Sequence, residues 1–148
     1  MNDDPDVPQS ATPYILDTSV LIAVARGDTD IMTLVQQLDA AGQPLVVPAL
    51  AVTGAVLDIR SDDAEGLLAG IELMEAATVA PLAGTEQASQ LAAVITRTDL
   101  DPWDAHTAAI ADAAVCPILT LDAAKWQQPS TTFDDSLHIV EIADPGES

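Results

Sequence analysis

Basic side chains are nearly missing from this chain: Arg26, Arg60, Arg97 and Lys125 stand against 24 acids in 148 residues, a formal charge of −20. Such a surface repels phosphate backbones and anionic lipid, and attracts cations and basic protein segments. It reads either as a solvated acidic coat suited to high salt or as a means of recruiting a basic partner. Aromatics are also scarce, at 3%, so Ala, Val, Leu and Ile must do the packing within a hydrophobic content of 49%. The lone Cys116 excludes an intrachain disulfide and makes a reducing cytoplasm the default expectation. No apolar run approaches the ~18 residues that span a bilayer. The opening MNDDPDVPQSATP has neither a basic n-region nor an apolar h-region. Residues 1–12 are expected to be a disordered acidic tail, not a signal peptide.

What is present fits one domain, expected over 13–143 with a short tail at 144–148. Tyr14 to Leu16 reads as a short buried strand running into Asp17, and Thr18 to Arg26 as a helix stopped by Gly27. Asp28 can cap a second helix whose apolar Ile31, Leu34, Val35 and Leu38 keep helical spacing up to Gly42. PLVVP, TVAPL, CPILTLD and LHIVEI supply four more strands. Helices fall between them: one from Pro48 to Ile59, one opening on SDDAEG, one from Thr85, and one with Asp101 as N-cap and Pro102 at its first position. Strands alternating with helices predict parallel crossovers and a three-layer α/β sheet of about five strands, with functional groups beyond the strands' carboxyl ends.

Asp17 and Asp122 both fall at such strand ends, and Asp104 falls in the first turn of the helix before the fourth strand. Each has a plain structural use, as a helix cap or a partner of the helix dipole. Their arrangement argues for more. In a parallel sheet the first and fourth strands end on one edge, so all three carboxylates can converge. Two carboxylates ~5 Å apart repel by roughly 3 kcal/mol at an effective dielectric of 20. Such a cluster needs protons or cations, and hard oxygen donors select Mg²⁺ or Mn²⁺. A divalent ion so held suits phosphodiester hydrolysis.

The ordered blocks ILDTSVLIAVARGD, VVPALAVTGAV, DPWDAHTAAIA and ILTLDAAKW resemble a PIN domain of the VapC type over about residues 13 to 142. The resemblance implies a PIN-like α/β/α fold and a metal-dependent ribonuclease in which four acids bind Mg²⁺ or Mn²⁺. It further implies an antitoxin-like protein partner, and leaves room for a homodimer. Carried over by motif, Asp17, Asp104 and Asp122 are the catalytic and metal-binding acids, and Thr18 and Ser19 match the hydroxyl pair after the first acid.

Two departures stand out. The second acid should be a glutamate on the helix after the second strand, where this chain has Thr53 followed by Gly54. Asp58 lies about 140° around that helix and is a poor substitute, and Asp101 serves as an N-cap if not as a compensating ligand. Thr53 can bind a metal's water through its hydroxyl but brings no charge. RNA binding by single-strand contacts normally neutralises phosphates, with a salt slope of about −0.7 for each. Arg26 is the candidate phosphate contact, or else a complement to its helix dipole. His106 is expected as a solvated helix residue or a proton shuttle, and Trp103 and Trp126 as core residues or base-stacking platforms. Two functions remain in view: a metal-dependent endoribonuclease, and a weakened or inactive PIN-like domain that binds or regulates. Under either, a partner's positive side chain set among the acids would relieve their repulsion. No membrane partner is expected.

Overall fold

The computed structural model describes residues 12–142. The tails expected at 1–12 and 144–148 lie outside them, save Thr12. In chain order the elements are β1 (Tyr14–Leu16), α1 (Thr18–Ala25), α2 (Thr29–Ala40), β2 (Leu45–Pro48), α3 (Ala49–Ile59) and α4 (Asp62–Glu72). There follow β3 (Ala77–Ala80), α5 (Gly84–Thr98), α6 (Pro102–Ala114), β4 (Ile118–Thr120), α7 (Ala124–Ser130) and β5 (Ile139–Glu141). The strands form one sheet in the order β3-β2-β1-β4-β5, and every neighbouring pair is parallel. The expected α/β class and strand number are thus observed.

Local chemistry fixes the helix starts. The Asp17 carboxylate accepts from Val20 N at 3.2 Å and caps α1, and Asp28 accepts from Asp30 N and Ile31 N and caps α2. Gly27, at φ +82, allows the sharp reversal between them that a residue with a Cβ adopts only under strain. Asp101 stands at the N-cap of α6 with Pro102 in the first turn, but its side chain makes no capping hydrogen bond. The N-cap of α3 is Pro48, which has no side-chain donor or acceptor at all.

Alternation along the strands sends side chains to opposite faces and so creates three layers. Leu16 and Leu119 pack on one face with Val20, Leu21 and Val24 of α1, Val35 of α2, Ala51 and Ala55 of α3 and Leu68 of α4. Ile15 and Ile118 pack on the other with Leu91 and Val94 of α5, Ala105 and Ala108 of α6, and Trp126. Trp126 is therefore core, as expected. Trp103 lies against α3 at Gly54, where an added Cβ would stand 2.5 Å from the indole Cγ. The glycine that follows Thr53 exists to let α6 approach.

Chain direction reverses across the sheet between β1 and β4: from β1 the chain winds outward through β2 to β3, then returns to β4 and winds outward to β5. In open parallel sheets such a switch point opens a crevice beyond the strand ends. Asp17 lies at the end of β1, where its backbone N–H donates to Leu119 O at 3.2 Å, and Asp122 lies just past β4.

Candidate active site

Asp17 is fully buried, although it is an acid. A buried carboxylate persists only when its oxygens are hydrogen-bonded or paired. Oδ1 accepts from Ser19 Oγ at 2.6 Å as well as from Val20 N. Oδ2 accepts from the Trp126 indole Nε1 at 3.0 Å and lies 3.2 Å from Lys125 Nζ. Ser19 is held in turn from β4: its Oγ accepts from Leu121 N at 2.9 Å and lies 3.3 Å from Thr120 Oγ1. The hydroxyl after the first acid thus orients that acid and ties the end of β1 to the end of β4.

Asp104 enters from the first turn of α6, with its side chain 13% exposed. Its Oδ1 lies 3.3 Å from the same Lys125 Nζ. Burial holds this carboxyl above its ordinary range; the Lys125 ammonium opposes the rise and the charge of Asp17 adds to it. Thr18 Oγ1 is buried without a hydrogen bond of good geometry, and its weak contact with the Asp104 carboxyl eases that carboxyl's ionisation.

The expected acids are therefore brought together in part. Asp17 and Asp104 share one cation, the ammonium of Lys125. Asp122 is exposed; its backbone N–H donates to Thr120 Oγ1 at 2.9 Å. Thr53 is exposed on α3 and turns its hydroxyl back to Ala49 O at 3.3 Å. Asp101 is exposed as well. Arg26, 68% exposed, lies 3.9 Å from Asp58, a loose surface pair of little energetic weight. Among the described residues, no group of three or more His, Cys, Asp or Glu side chains lies close enough to hold a metal.

Two residues depart from expectation. His106 is buried, not solvated: its Nδ1 accepts from Leu50 N at 3.3 Å. Leu50 is in the first turn of α3, where backbone N–H groups lack helical partners and Pro48 offers no cap. A side chain from α6 does that work, and burial lowers the imidazole's pKa, against a hydrogen bond to the Pro81 backbone that raises it. Lys125 was not anticipated as a site residue. Its ammonium places a positive charge from the chain itself between the two acids. Its only sequence signal is that the single lysine of an acidic chain falls within the last motif, beside Trp126.

Comparison with curated proteins finds no match. Solved structures share the fold at low identity. VapBC2 from Rickettsia felis, bound to a DNA fragment from its promoter, aligns with a TM-score of 0.62 at 9% identity, covering 88% of this chain and 99% of that one. DNA-bound VapBC from Salmonella typhimurium aligns with a TM-score of 0.59 at 14% identity, over 88% and 98%. PAE2754 from Pyrobaculum aerophilum aligns with a TM-score of 0.54 at 18% identity, over 88% and 86%. The PIN domain model matches residues 14–128, which carry β1 through most of α7 and include Asp17, Asp104, Asp122 and Lys125. The chain belongs to the PIN domain family.

Proposed function

We propose that the protein is a toxin-type PIN nuclease that hydrolyses RNA phosphodiester bonds with Mg²⁺ or Mn²⁺, Asp17 and Asp104 holding the ion and Asp122 standing at the rim. One observation carries this reading: two carboxylates from different elements, both largely buried, meet at the sheet's switch point around a single cation. The donors fit a hard divalent ion in kind. Mg²⁺ usually keeps several waters and takes one or two carboxylates, so the pair can suffice once the ammonium has left. When bound, the ion supplies stabilisation of the charge that builds on a phosphoryl group. Ser19 and Trp126 keep the Asp17 carboxylate in one orientation, and Thr18 stands beside Asp104 with a buried hydroxyl still to be engaged.

Electrostatics bear on the partners. Arg97 lies over the Phe133 ring, Arg60 donates to Leu57 O, and Lys125 is held between acids, so few cations are free to meet phosphate. RNA would then be drawn mainly by the bound ion, with Arg26 as the nearest thing to a free side-chain contact. The −20 charge opposes association of two copies and favours a basic partner. The VapBC neighbours suggest an antitoxin in that role. A pull-down from the native host that returns no basic protein would count against it.

A second reading has its own support, since exposed Thr53 takes the place of the second acid: a PIN domain that binds without cutting. Cleavage of an end-labelled mixed RNA pool in Mn²⁺, Mg²⁺ or chelator separates the two. Metal-dependent cutting by the parent, lost in Asp104→Asn, is the expected result. No cutting by the parent, with or without Thr53→Glu, would sink the nuclease reading.

A further inference from the structure

Metal entry requires that something leave. Lys125 Nζ lies 3.2 Å from Asp17 Oδ2 and 3.3 Å from Asp104 Oδ1, the same oxygens a divalent ion would need. We propose that Lys125 is the cleft's own counterion and competes with the divalent ion for the carboxylate pair, so that metal binds only as the ammonium withdraws. The inference rests on the metal-dependent reading above and concerns how that site is controlled.

The placement is built by α7. Lys125 and Trp126 are consecutive, and both reach the same carboxylate oxygen: the indole N–H at 3.0 Å and the ammonium at 3.2 Å. The ammonium also lies 5.5 Å from the centre of the Trp126 ring, within cation–π range. The indole is fully buried and fixes the start of the lysine stem. The lysine side chain is 24% exposed, so its tip has a way out to solvent that the tryptophan lacks. Charge decides which states the pair accepts. Two carboxylates with the ammonium carry −1, and with a divalent ion they carry zero. With both cations they would carry +1, and the ammonium and the ion would meet as like charges over the same two oxygens, Asp17 Oδ2 and Asp104 Oδ1. One cation therefore excludes the other.

Lys125 is the only lysine, the other three basic side chains being Arg26, Arg60 and Arg97. A sample labelled with ¹³C,¹⁵N-lysine therefore gives one side-chain signal. Titrating Mg²⁺ into the wild-type protein should move that signal from a dispersed, held position to that of a free solvated lysine. Calorimetry with Mn²⁺ provides the second measurement, on wild type and on Lys125→Met, which keeps the stem and removes the charge. The variant should bind by about tenfold more tightly or better. Mg²⁺ binding that leaves the lysine signal in place overturns the proposal, whether or not the variant folds. Equal or weaker Mn²⁺ affinity in Lys125→Met overturns it too, as does failure of both proteins to bind metal. Tighter binding without RNA cleavage by either protein would leave the competition established and refute the nuclease reading instead.

Discussion

On the β1–β4 side of the cleft the groups that meet Asp17 are themselves held: Ser19 by Leu121 N, Trp126 by the core, Lys125 by a second acid. On α3 the residue at the next motif position, Thr53, is exposed and bonds only its own helix. The contrast teaches which parts of an acidic site are also parts of the fold. Asp17 caps α1, accepts the indole N–H and pairs with Lys125, so the fold depends on it with or without chemistry. The second acidic position serves the fold in no such way. Replacing an acid there with Thr leaves the β1–β4 network untouched.

The largest expected effect tests the first half of that contrast. Asp17→Ala removes the cap of α1, the acceptors of Ser19 and Trp126, and one of the two counterions of Lys125. Breaking one partner of a buried ion pair typically costs about 3–5 kcal/mol, and that loss should appear in urea unfolding as a lower midpoint with unchanged slope. A cost below about 1 kcal/mol would mean that the buried carboxylate contributes no more than a surface charge, and the contrast would fail.

A smaller effect probes how α3 is attached. His106 Nδ1 accepts from Leu50 N, which requires a neutral ring with its proton on Nε2. Protonation would turn an N–H toward an N–H at the positive end of α3. Burial lowers the folded-state pKa below the ordinary value of 6.5. The folded state therefore binds fewer protons than the unfolded state near that pH, and stability rises with pH there. The contribution is complete above about 6.5 and is lost as pH falls through the lower folded value. It should be on the order of 1 kcal/mol. His106→Gln can still offer an oxygen to Leu50, so its stability should fall less between neutral and mildly acidic pH. Parallel pH profiles for the two proteins would show that the ring's charge is immaterial to α3.

These residues also mark how far the sequence could be read. Hydrophobic alternation, the capping acids and the Asp101–Pro102 pair are local signals, and they give the five strands, the helices α1 to α6 and the two strand-end acids. Asp17 beside Asp104 follows from one long-range inference, that in a parallel sheet the first and fourth strands end on the same edge. Lys125 did not follow, because its position depends on how the short α7 turns back toward β1 after β4, which no periodicity encodes. The burial of His106 is illegible in the sequence for a related reason. A histidine on an alanine-rich helix gives no burial signal of its own. The clue lay in Pro48, which cannot cap α3 and leaves its first N–H groups in need of an acceptor from elsewhere.

The smallest effect on stability comes from the position that differs most from the family pattern, and it bears most directly on whether α3 still faces the acids. Thr53 is exposed, and its hydroxyl serves only Ala49 O. Glutamate is at least as good a helix former as threonine, and a negative charge near the start of α3 opposes no dipole. Thr53→Glu should therefore unfold within about 0.5 kcal/mol of wild type. Its consequence should lie in cation binding. If α3 faces the acids, a carboxylate at position 53 adds attraction for a divalent ion, which gains more from it than a monovalent ammonium does. Mn²⁺ affinity by calorimetry should then rise while stability in chelator stays level. That pairing of results would mean that α3 kept its aim and lost only its acid. An unchanged affinity would mean that α3 no longer takes part in the cleft, and that Asp17, Asp104 and Lys125 are the whole of its charged machinery.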